Sequence, residues 1–600
     1  MSVQSKHFLN KPETLVVESL QGLCALNPKL GLDTTNKVLY NSAHDRSKVA
    51  IICGGGAGHE PAHAGYVGDG MLAAAVCGNV FASPNPAQVL RGINLVDSDA
   101  GTVIIVKNYT GDILNFGLAK EQYAALHPSK ADKVKFVIIG DDVAVGRSQG
   151  KIVGRRGHRG LAGTVLVYKI VGALARQGAS LNDVYATAEY LATRLATIGV
   201  GLEHCHVPGT AAGESHLGPK EIEIGMGIHN EPGARRLSPV PPLSELIPQL
   251  IENLTSTSDP DRSFVPFRGA GDRVVLLVNN LGGTSELEMG AVVTEAKKDL
   301  AKRGVKVERV IAGTFMTSLN MPGFSLTLLL LPDAADKNAP DAARLLALLD
   351  EPAAVPGWKW TVGGAPADSI ITPPAASAAA GRDTAARIRA ADAQAFIAAV
   401  QRATEALVRE EPEITRMDNI AGDGDCGLTL KAGAEAVQAD IKSGKISADD
   451  VVGSMVAISK VAEEQMGGTS GAIYSIFFSA LAQALQAAAP HGGTADAALW
   501  ARALPGALAR LYTYTRARPP SRTLVDPLQA FVEAAAASSG ADFAGAVRAA
   551  GAAALATRDL EAKAGRSAYV EGDRLRAEKV PDPGAWGVKA IVEGLLGRAA

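Results

Sequence analysis

The sequence predicts a multi-domain protein with an N-terminal α/β region of two subdomains and a C-terminal all-α domain. Three observations predict it. The 600 residues exceed what one hydrophobic core usually serves and favour about three globular units. Up to about residue 333, short β-branched runs (Val49–Cys53, Thr102–Val106, Phe136–Ile139) alternate with longer Ala/Leu segments, the pattern of α/β layers. Beyond Gly363–Gly381 such runs are absent, and apolar spacing such as Ala393, Ile397, Val400 and Leu407 follows a helical period.

Residues 1–190 are expected to form the first subdomain and 191–340 the second, with the division near 185–215 after the helix-like Gly172–Gly178 and Leu181–Thr197 stretches. Val274–Val278 and Phe324–Leu331 are apolar runs bounded by turn residues, too short to cross a bilayer as helices and expected as buried strands. Residues 341–384 are expected as a linker, because GGAPADSIITPPAASAAAG is rich in Ala, Pro, Ser and Gly with almost no charge. In the helical domain, 385–600, the Ala-rich stretches Ala534–Ala537 and Ala549–Ala556 read as close-packed helices with small residues.

Lys plus Arg number 59 against 62 Asp plus Glu, a net charge of -3 that lacks the basic excess of nucleic-acid or anionic-membrane binders. Small molecules are therefore the expected partners. The five cysteines (Cys24, Cys53, Cys77, Cys205, Cys426) are scattered and form no CxxC pair, against a disulfide framework or zinc site and in favour of a reducing cytoplasm. Met1–Lys11 has no apolar core of the kind a secretory signal requires, so export is not expected.

Two constellations carry chemistry. The first begins at Glu221–Gly233, EIEIGMGIHNEPG, read as a strand with Ile222, Ile224, Met226 and Ile228 on one face and Gly225, Gly227 and His229 on the other. A face with two side-chain-free positions lets a small substrate approach the backbone while His229 reaches it. A second element, Cys53–Leu72, runs from a strand into three glycines and then His59, Glu60 and Pro61; its amides could cradle oxygens, or the loop could be a tight turn with a surface histidine. The third, Lys107-Asn108-Tyr109-Thr110-Gly111-Asp112, places a cation and a carboxylate at one strand end, where a helix N-cap is the ordinary alternative. In open parallel sheets such strand ends are where ligands bind.

The second constellation, DNIAGDGDCG, sets Asp418, Asp423 and Asp425 within eight residues between helical stretches. Carboxylates so close repel unless a cation offsets them, and magnesium commonly bridges carboxylates to nucleotide phosphates, so a Mg-ATP site is the economical reading beside that of a solvated turn. Met466-Gly467-Gly468-Thr469-Ser470-Gly471 precedes an apolar helix-like run, and amides at a helix N-terminus bind phosphate oxygens. Neither a Walker A loop nor a GxGxxG fingerprint is present.

Together GGGAGHEP, KNYTGD and EIEIGMGIHNEPG resemble the dihydroxyacetone kinase family closely, and the aspartate triad resembles its helical nucleotide domain. The resemblance spans roughly residues 10–333 and 385–595. It implies that His229 forms a hemiaminal with the carbonyl carbon of a small ketose, that His59 and Asp112 assist proton transfer, and that Gly56, Ala57, Gly58 and Lys107 contact substrate. For the helical half it implies two Mg2+ ions held on ATP by Asp418, Asp423 and Asp425. It also implies a nucleotide lining of Asp425, Cys426, Gly427, Leu428, Thr469, Ser470, Arg522, Thr523, Asp582, Pro583 and Gly584, with GRSAYV (Gly565–Val570) a further match. A homodimer and direct use of ATP follow from the same resemblance.

Departures from the family pattern are Ala57 where serine is common, Asn230 where glycine is common, and Pro520-Ser521 where Gly-Asp is common. The missing hydroxyl at 57 bears on which ketose is preferred, leaving erythrulose and glyceraldehyde open beside dihydroxyacetone. A non-catalytic ketose-binding regulator and a side lyase activity on an FAD-like nucleotide are the rival functions.

Overall fold

The β-branched runs are strands, and they assemble into two sheets. The first contains β1 (Leu30–Asp33), β2 (Val38–Asn41), β3 (Ala50–Ala57), β4 (Ala74–Val80), β5 (Thr102–Lys107) and β6 (Val134–Ile139), in the order β1-β2-β4-β3-β5-β6. The second contains β7 (Leu195–Gly201), β8 (Ile222–Ile224), β9 (Arg235–Leu237), β10 (Arg273–Asn280), β11 (Lys306–Gly313) and β12 (Gly323–Leu330), in the order β11-β10-β12-β7-β8-β9. The computed structural model describes residues 5–147, 158–211, 215–333, 335–337, 339–360, 363–367, 387–564, 575 and 578–597. The chain divides into two units, Met1–Thr372 and Pro373–Ala600.

Strand β3 pairs in parallel with β4 and β5 and is buried along its whole length. The two-residue period of a strand sends its side chains into two cores. Ala50 and Ile52 pack with Val89, Ile93 and Phe116 from the helices Pro86–Leu95 and Thr110–Leu126. Ile51 and Cys53 pack on the other face with Val165 and Tyr168 of the helix Gly163–Arg176. That helix is buried nearly throughout, and the same core takes in Val275, Leu277 and Leu329 of the second sheet, so it serves both sheets. The far face of the second sheet packs Val274, Leu276 and Val278 against the helices Leu243–Thr255 and Glu286–Lys302.

Several expectations are revised. The EIEIGMGIH run is a strand only over Ile222–Ile224, because Gly225 at φ +82° turns the chain out of the sheet. Gly54, Gly55 and Gly56 of CGGGAG belong to β3 itself rather than to a loop after it, and only Gly58 lies beyond its end. The helix Leu181–Ala192 runs past the expected division at residue 190 while packing beside β6, and the second sheet begins at Leu195. The expected linker starts too early at 341. The helix Ala342–Asp350 buries Leu345, Leu348 and Leu349 in the first unit's core, Lys169 Nζ donates to Leu348 O at 2.8 Å, and Gly357 N donates to Gly65 O at 2.7 Å.

The second unit is helical, with helices Ala393–Ala421, Cys426–Lys442, Val451–Val461, Gly468–Ala488, Ala497–Leu511, Val525–Ala537, Phe543–Ala556 and Pro583–Leu596. A short parallel pair, Ile388–Ala390 with Gly493–Ala495, qualifies the all-α expectation. The Ala-rich segments are helical, and Ala535, Ala546, Ala550 and Ala554 are buried where neighbouring helices meet. Gly468–Ala488 is long and apolar enough by composition to cross a membrane, yet Tyr474, Phe477, Leu481 and Leu485 are buried among the other helices.

The placement of Leu348 gives a direct test. Leu348→Ala removes a fully buried side chain and is expected to destabilise the first unit by about 2–5 kcal/mol in urea unfolding. A linker residue would leave the midpoint unchanged.

Candidate active site

His229 sits in a turn just after β8, and Glu231 holds its ring. Its backbone N–H donates to Glu231 Oε2 at 2.8 Å, and its Nδ1 stands 3.1 Å from Glu231 Oε1. A carboxylate only accepts, so Nδ1 carries the proton. Glu231 lies 4.0 Å from Arg159 Nη1; Arg159 in turn donates through Nε to Asp142 Oδ2 at 2.7 Å and through Nη2 to Gly225 O at 2.7 Å. Arg159 and Asp142 are both buried. This explains Gly227 differently from the sequence reading. A Cβ there would lie 2.0 Å from Glu231 Oε2 and 2.4 Å from Arg159 Nη1, so the glycine makes room for the support of His229 rather than for a ligand.

Across from it, His59 Nδ1 donates to Thr317 O at 2.9 Å, and His59 Nε2 faces His229 Nε2 at 3.0 Å. With both Nδ1 atoms committed as donors, two Nε2 lone pairs meet, an arrangement satisfied by one shared proton. Burial lowers the basicity of His59 far below the ordinary histidine value, and Lys107 and His229 add to the effect. Phe81 and Tyr109 stand edge-on to the His229 ring.

Lys107 ends β5 and Asp112 lies in the first turn of the Thr110–Leu126 helix; both are buried. Burial pulls the Lys107 pKa down, with Asp112 opposing. Burial likewise raises the Asp112 carboxyl, against Lys107, a hydrogen bond from Ser83 Oγ to Oδ1, and His229. Gly56 and Gly58 pack against Phe81, and a Cβ at Gly58 would meet its ring at 2.7 Å. The Gly58 N–H donates to Glu60 Oε2 at 2.9 Å, so that amide is already engaged. Ala57 is buried at the end of β3.

In the second unit, carboxylate oxygens of Asp418, Asp423 and Asp425 lie within 4.8 Å of one another, Asp418 buried and the others exposed. Burial raises the Asp418 carboxyl; the Cys426 N–H, donating to Oδ2 at 2.9 Å, opposes this, and the charges of Asp423 and Asp425 add to it. Such mutual repulsion is what a divalent cation relieves, so the three residues fit a metal. Asp425 precedes the Cys426–Lys442 helix, Gly427 packs against Thr415 and Glu411, and Leu428 is exposed. Thr469 and Ser470 occupy the first turn of Gly468–Ala488, after Gly467 at φ +64°.

Arg522 is fully buried; Nη2 donates to Val580 O at 2.8 Å, while Nε and Nη1 have no partner among the described residues. A buried guanidinium with idle donors is suited to an anion. Next to it, Thr523 N donates to Asp526 Oδ2 at 2.9 Å. Asp582 caps the Pro583–Leu596 helix by accepting from Ala585 N at 2.8 Å, which sets Pro583 and Gly584 in the first turn. The charges of Asp418, Asp582, Asp425 and Asp423 all bear on Cys426, whose thiol is pushed up chiefly by burial. GRSAYV lies outside the described residues.

The structure thus brings His59 and His229 into contact with Lys107 and Asp112 close by, and separately gathers the triad with Cys426 and Asp582. Glu231, Arg159, Ser83 and His63 were not singled out in the sequence. Only Glu231 and His63 had a signal, as the acid two residues after His229 and the second histidine of HEPAH.

A Dak1 domain matches residues 21–357 and a DAK2 domain residues 420–597. A dihydroxyacetone kinase of Pichia angusta is 42% identical over 621 residues, covering 99% of this chain and 98% of the relative. A triokinase/FMN cyclase of Mus musculus is 38% identical and covers 99% of both. The crystal structure of the dihydroxyacetone kinase from C. freundii in complex with AMP-PNP and Mg2+ is similar at a TM-score of 0.65 and 30% identity, covering 98% of this chain and 99% of that one.

Glu231 provides a pH test. Burial alone would raise its carboxyl, but the hydrogen bond and charge of His229 and the Arg159 charge hold it down to about 2, against 4.5 for an ordinary glutamate. Its stabilisation is therefore full above pH 4.5 and is lost as pH falls through about 2. Glu231→Gln is expected to lower stability by about 1–3 kcal/mol at pH 7, with the gap closing towards pH 2 in denaturant melts. An equal gap at both pH values would mean that the Glu231 charge does not hold the turn.

Proposed function

The chain belongs to the dihydroxyacetone kinase family, and on that premise we propose that it moves the γ-phosphoryl group of ATP to a terminal hydroxyl of dihydroxyacetone held as a hemiaminal on His229. The observation that carries this reading is the His229 Nε2 atom, left as the reactive nitrogen by the Nδ1–Glu231 bond and set 3.0 Å from His59 Nε2, with which it shares a proton. In the first step the shared proton passes to His59 Nε2, and the His229 Nε2 lone pair so released forms a bond to the carbonyl carbon. The carbonyl π pair moves to oxygen, which takes that proton from His59 Nε2 and becomes a hydroxyl. Orientation is gained because the substrate is fixed by a covalent bond before phosphoryl transfer.

Asp112 then takes the proton of the terminal hydroxyl as its oxygen attacks the γ-phosphorus and ADP departs. Its carboxyl, raised by burial, is a better base than an ordinary aspartate, and Lys107 beside it keeps it ionised enough to serve. Lys107 also offers its ammonium to a substrate oxygen, and Gly56, Ala57 and Gly58 border the same space. Asp418, Asp423 and Asp425 would hold Mg2+, which when bound neutralises charge on the phosphates. Arg522, through its idle Nε and Nη1 donors, would meet a phosphate oxygen, with Thr469, Ser470, Thr523 and the Asp582-Pro583-Gly584 turn lining the nucleotide.

A homodimer belongs to the same reading. So does a cytoplasmic setting, which the five unpaired cysteines support. Ala57, with no hydroxyl, keeps erythrulose or glyceraldehyde as alternative substrates.

Two experiments test the reading. Borohydride reduction of ketone-loaded protein is expected to leave an adduct on His229 that His229→Ala lacks, and glycerol, which has no carbonyl, should be phosphorylated on the order of a thousandfold less efficiently than dihydroxyacetone. An active wild-type protein that traps no adduct would overturn the hemiaminal. Asp423→Ala is expected to abolish Mg-ATP binding in calorimetry while borohydride trapping persists; unchanged affinity and turnover would remove the triad from the nucleotide site.

A further inference from the structure

His63 is buried beneath the site and has one idle nitrogen. Its Nδ1 lies 3.0 Å from Tyr168 Oη and 3.4 Å from Cys53 Sγ. Burial raises the pKa of both neighbours, the Cys53 thiol to about 12, so both keep their protons at neutral pH. With the Tyr168 hydroxyl donating to Nδ1 and the Cys53 thiol turned to Gly54 O, the proton of the neutral ring sits on Nε2. That Nε2 is buried and has no partner among the described residues, an arrangement proteins rarely leave standing.

Nε2 lies beside Gly55. A Cβ on Gly55 would stand 3.3 Å from His63 Nε2 and 3.3 Å from Asp112 Oδ2, so the two atoms border the same side of this glycine, which a side chain would crowd. No direct hydrogen bond joins them: the Asp112 bond from Ser83 is made through the other oxygen, Oδ1. A donor and an acceptor bordering one small space, beside Lys107, suit a hydroxyl group, which can accept from Nε2–H and donate to the carboxylate at once.

We propose that the space over Gly55 is a binding position for the hydroxyl oxygen that attacks phosphorus, with His63 Nε2–H donating to it while Asp112 Oδ2 takes its proton. This rests on the reading above that Asp112 is the base in phosphoryl transfer. It adds His63 to the substrate site as the group that orients the nucleophile. The charged or titratable groups facing the position are Lys107 from β5, His59 from the turn after β3, His229 from its turn, and Cys53 and Tyr168 behind His63.

Two substitutions separate contact from scaffolding. His63→Asn places an amide near the position of Nδ1 and removes the donor at Nε2; His63→Gln carries its amide nitrogen to the position of Nε2. For dihydroxyacetone, kcat/KM of His63→Asn is expected to fall on the order of a hundredfold. The acid limb of its kcat profile, which reports the substrate complex, should move to higher pH, because the bound hydroxyl no longer relays the Nε2–H donor to the ionised Asp112. His63→Gln should recover at least tenfold of that loss. Wild-type efficiency and an unmoved acid limb in His63→Asn would overturn the proposal, as would equal losses in both variants with the limb in place.

A measurement on the unaltered protein guards against a variant that does not fold. With 15N-labelled histidine and no ATP, the Nε2–H resonance of His63 should shift when dihydroxyacetone is added and stay in place with acetone, which has no hydroxyl. No shift with dihydroxyacetone overturns the proposal. Borohydride trapping on His229 in the same samples tells the two readings apart: trapping without a His63 shift defeats this inference alone, whereas an active protein that never traps defeats the hemiaminal.

Discussion

The first unit depends on the buried ion pair between Arg159 and Asp142. Asp142 follows the end of β6 in the first sheet, while the second hydrogen bond of Arg159 goes to Gly225 O, where the chain leaves the second sheet. One guanidinium therefore ties the two sheets together at the point where His229 is presented. Two charges away from water are worth keeping only when each is fully paired, and removing one partner of such a pair typically costs about 3–5 kcal/mol. The pair also restricts the sequence nearby: Gly227 is needed because the ion pair and Glu231 occupy the volume of a side chain.

Around this anchor the electrostatics of the site follow from burial. His59, Lys107 and Asp112 each have their charged form disfavoured, and each is partly compensated by a neighbour rather than by water. Proton movements among them are then governed by small differences between large opposing effects. The second unit uses the opposite device: two of its three carboxylates face solvent, which suits a site where an ion and a nucleotide arrive and leave together.

The layers were legible in the sequence because strand and helix periods differ, and His59, Lys107, Asp112 and His229, the residues proposed for the carbonyl site, drew notice because they sit at or past strand ends. Local reading failed where the cause was distant. Ile222–Ile228 alternates as a strand should, but the chain turns at Gly225 with φ +82°, and only a glycine fits there because a Cβ would lie 2.5 Å from the Ala144 methyl, a neighbour no local pattern shows. Arg159 escapes a local reading for the same reason: its partners lie on other elements. The helix Ala342–Asp350 was read as linker because the Pro- and Ala-rich composition around it hid four leucines on a buried face.

The contact between His59 and His229 spans 170 residues of chain, and that between His59 and Thr317 spans 258. During synthesis at about 5–20 residues per second, the first histidine waits roughly ten seconds to half a minute for the second to be made, and longer for the carbonyl that orients its own ring. On the proposed mechanism, a ketose in the surrounding solution lacks the His229 nucleophile throughout that interval. It can therefore give no ligand-binding stabilisation to the nascent first sheet, and the substrate can support only a chain whose two sheets have already docked.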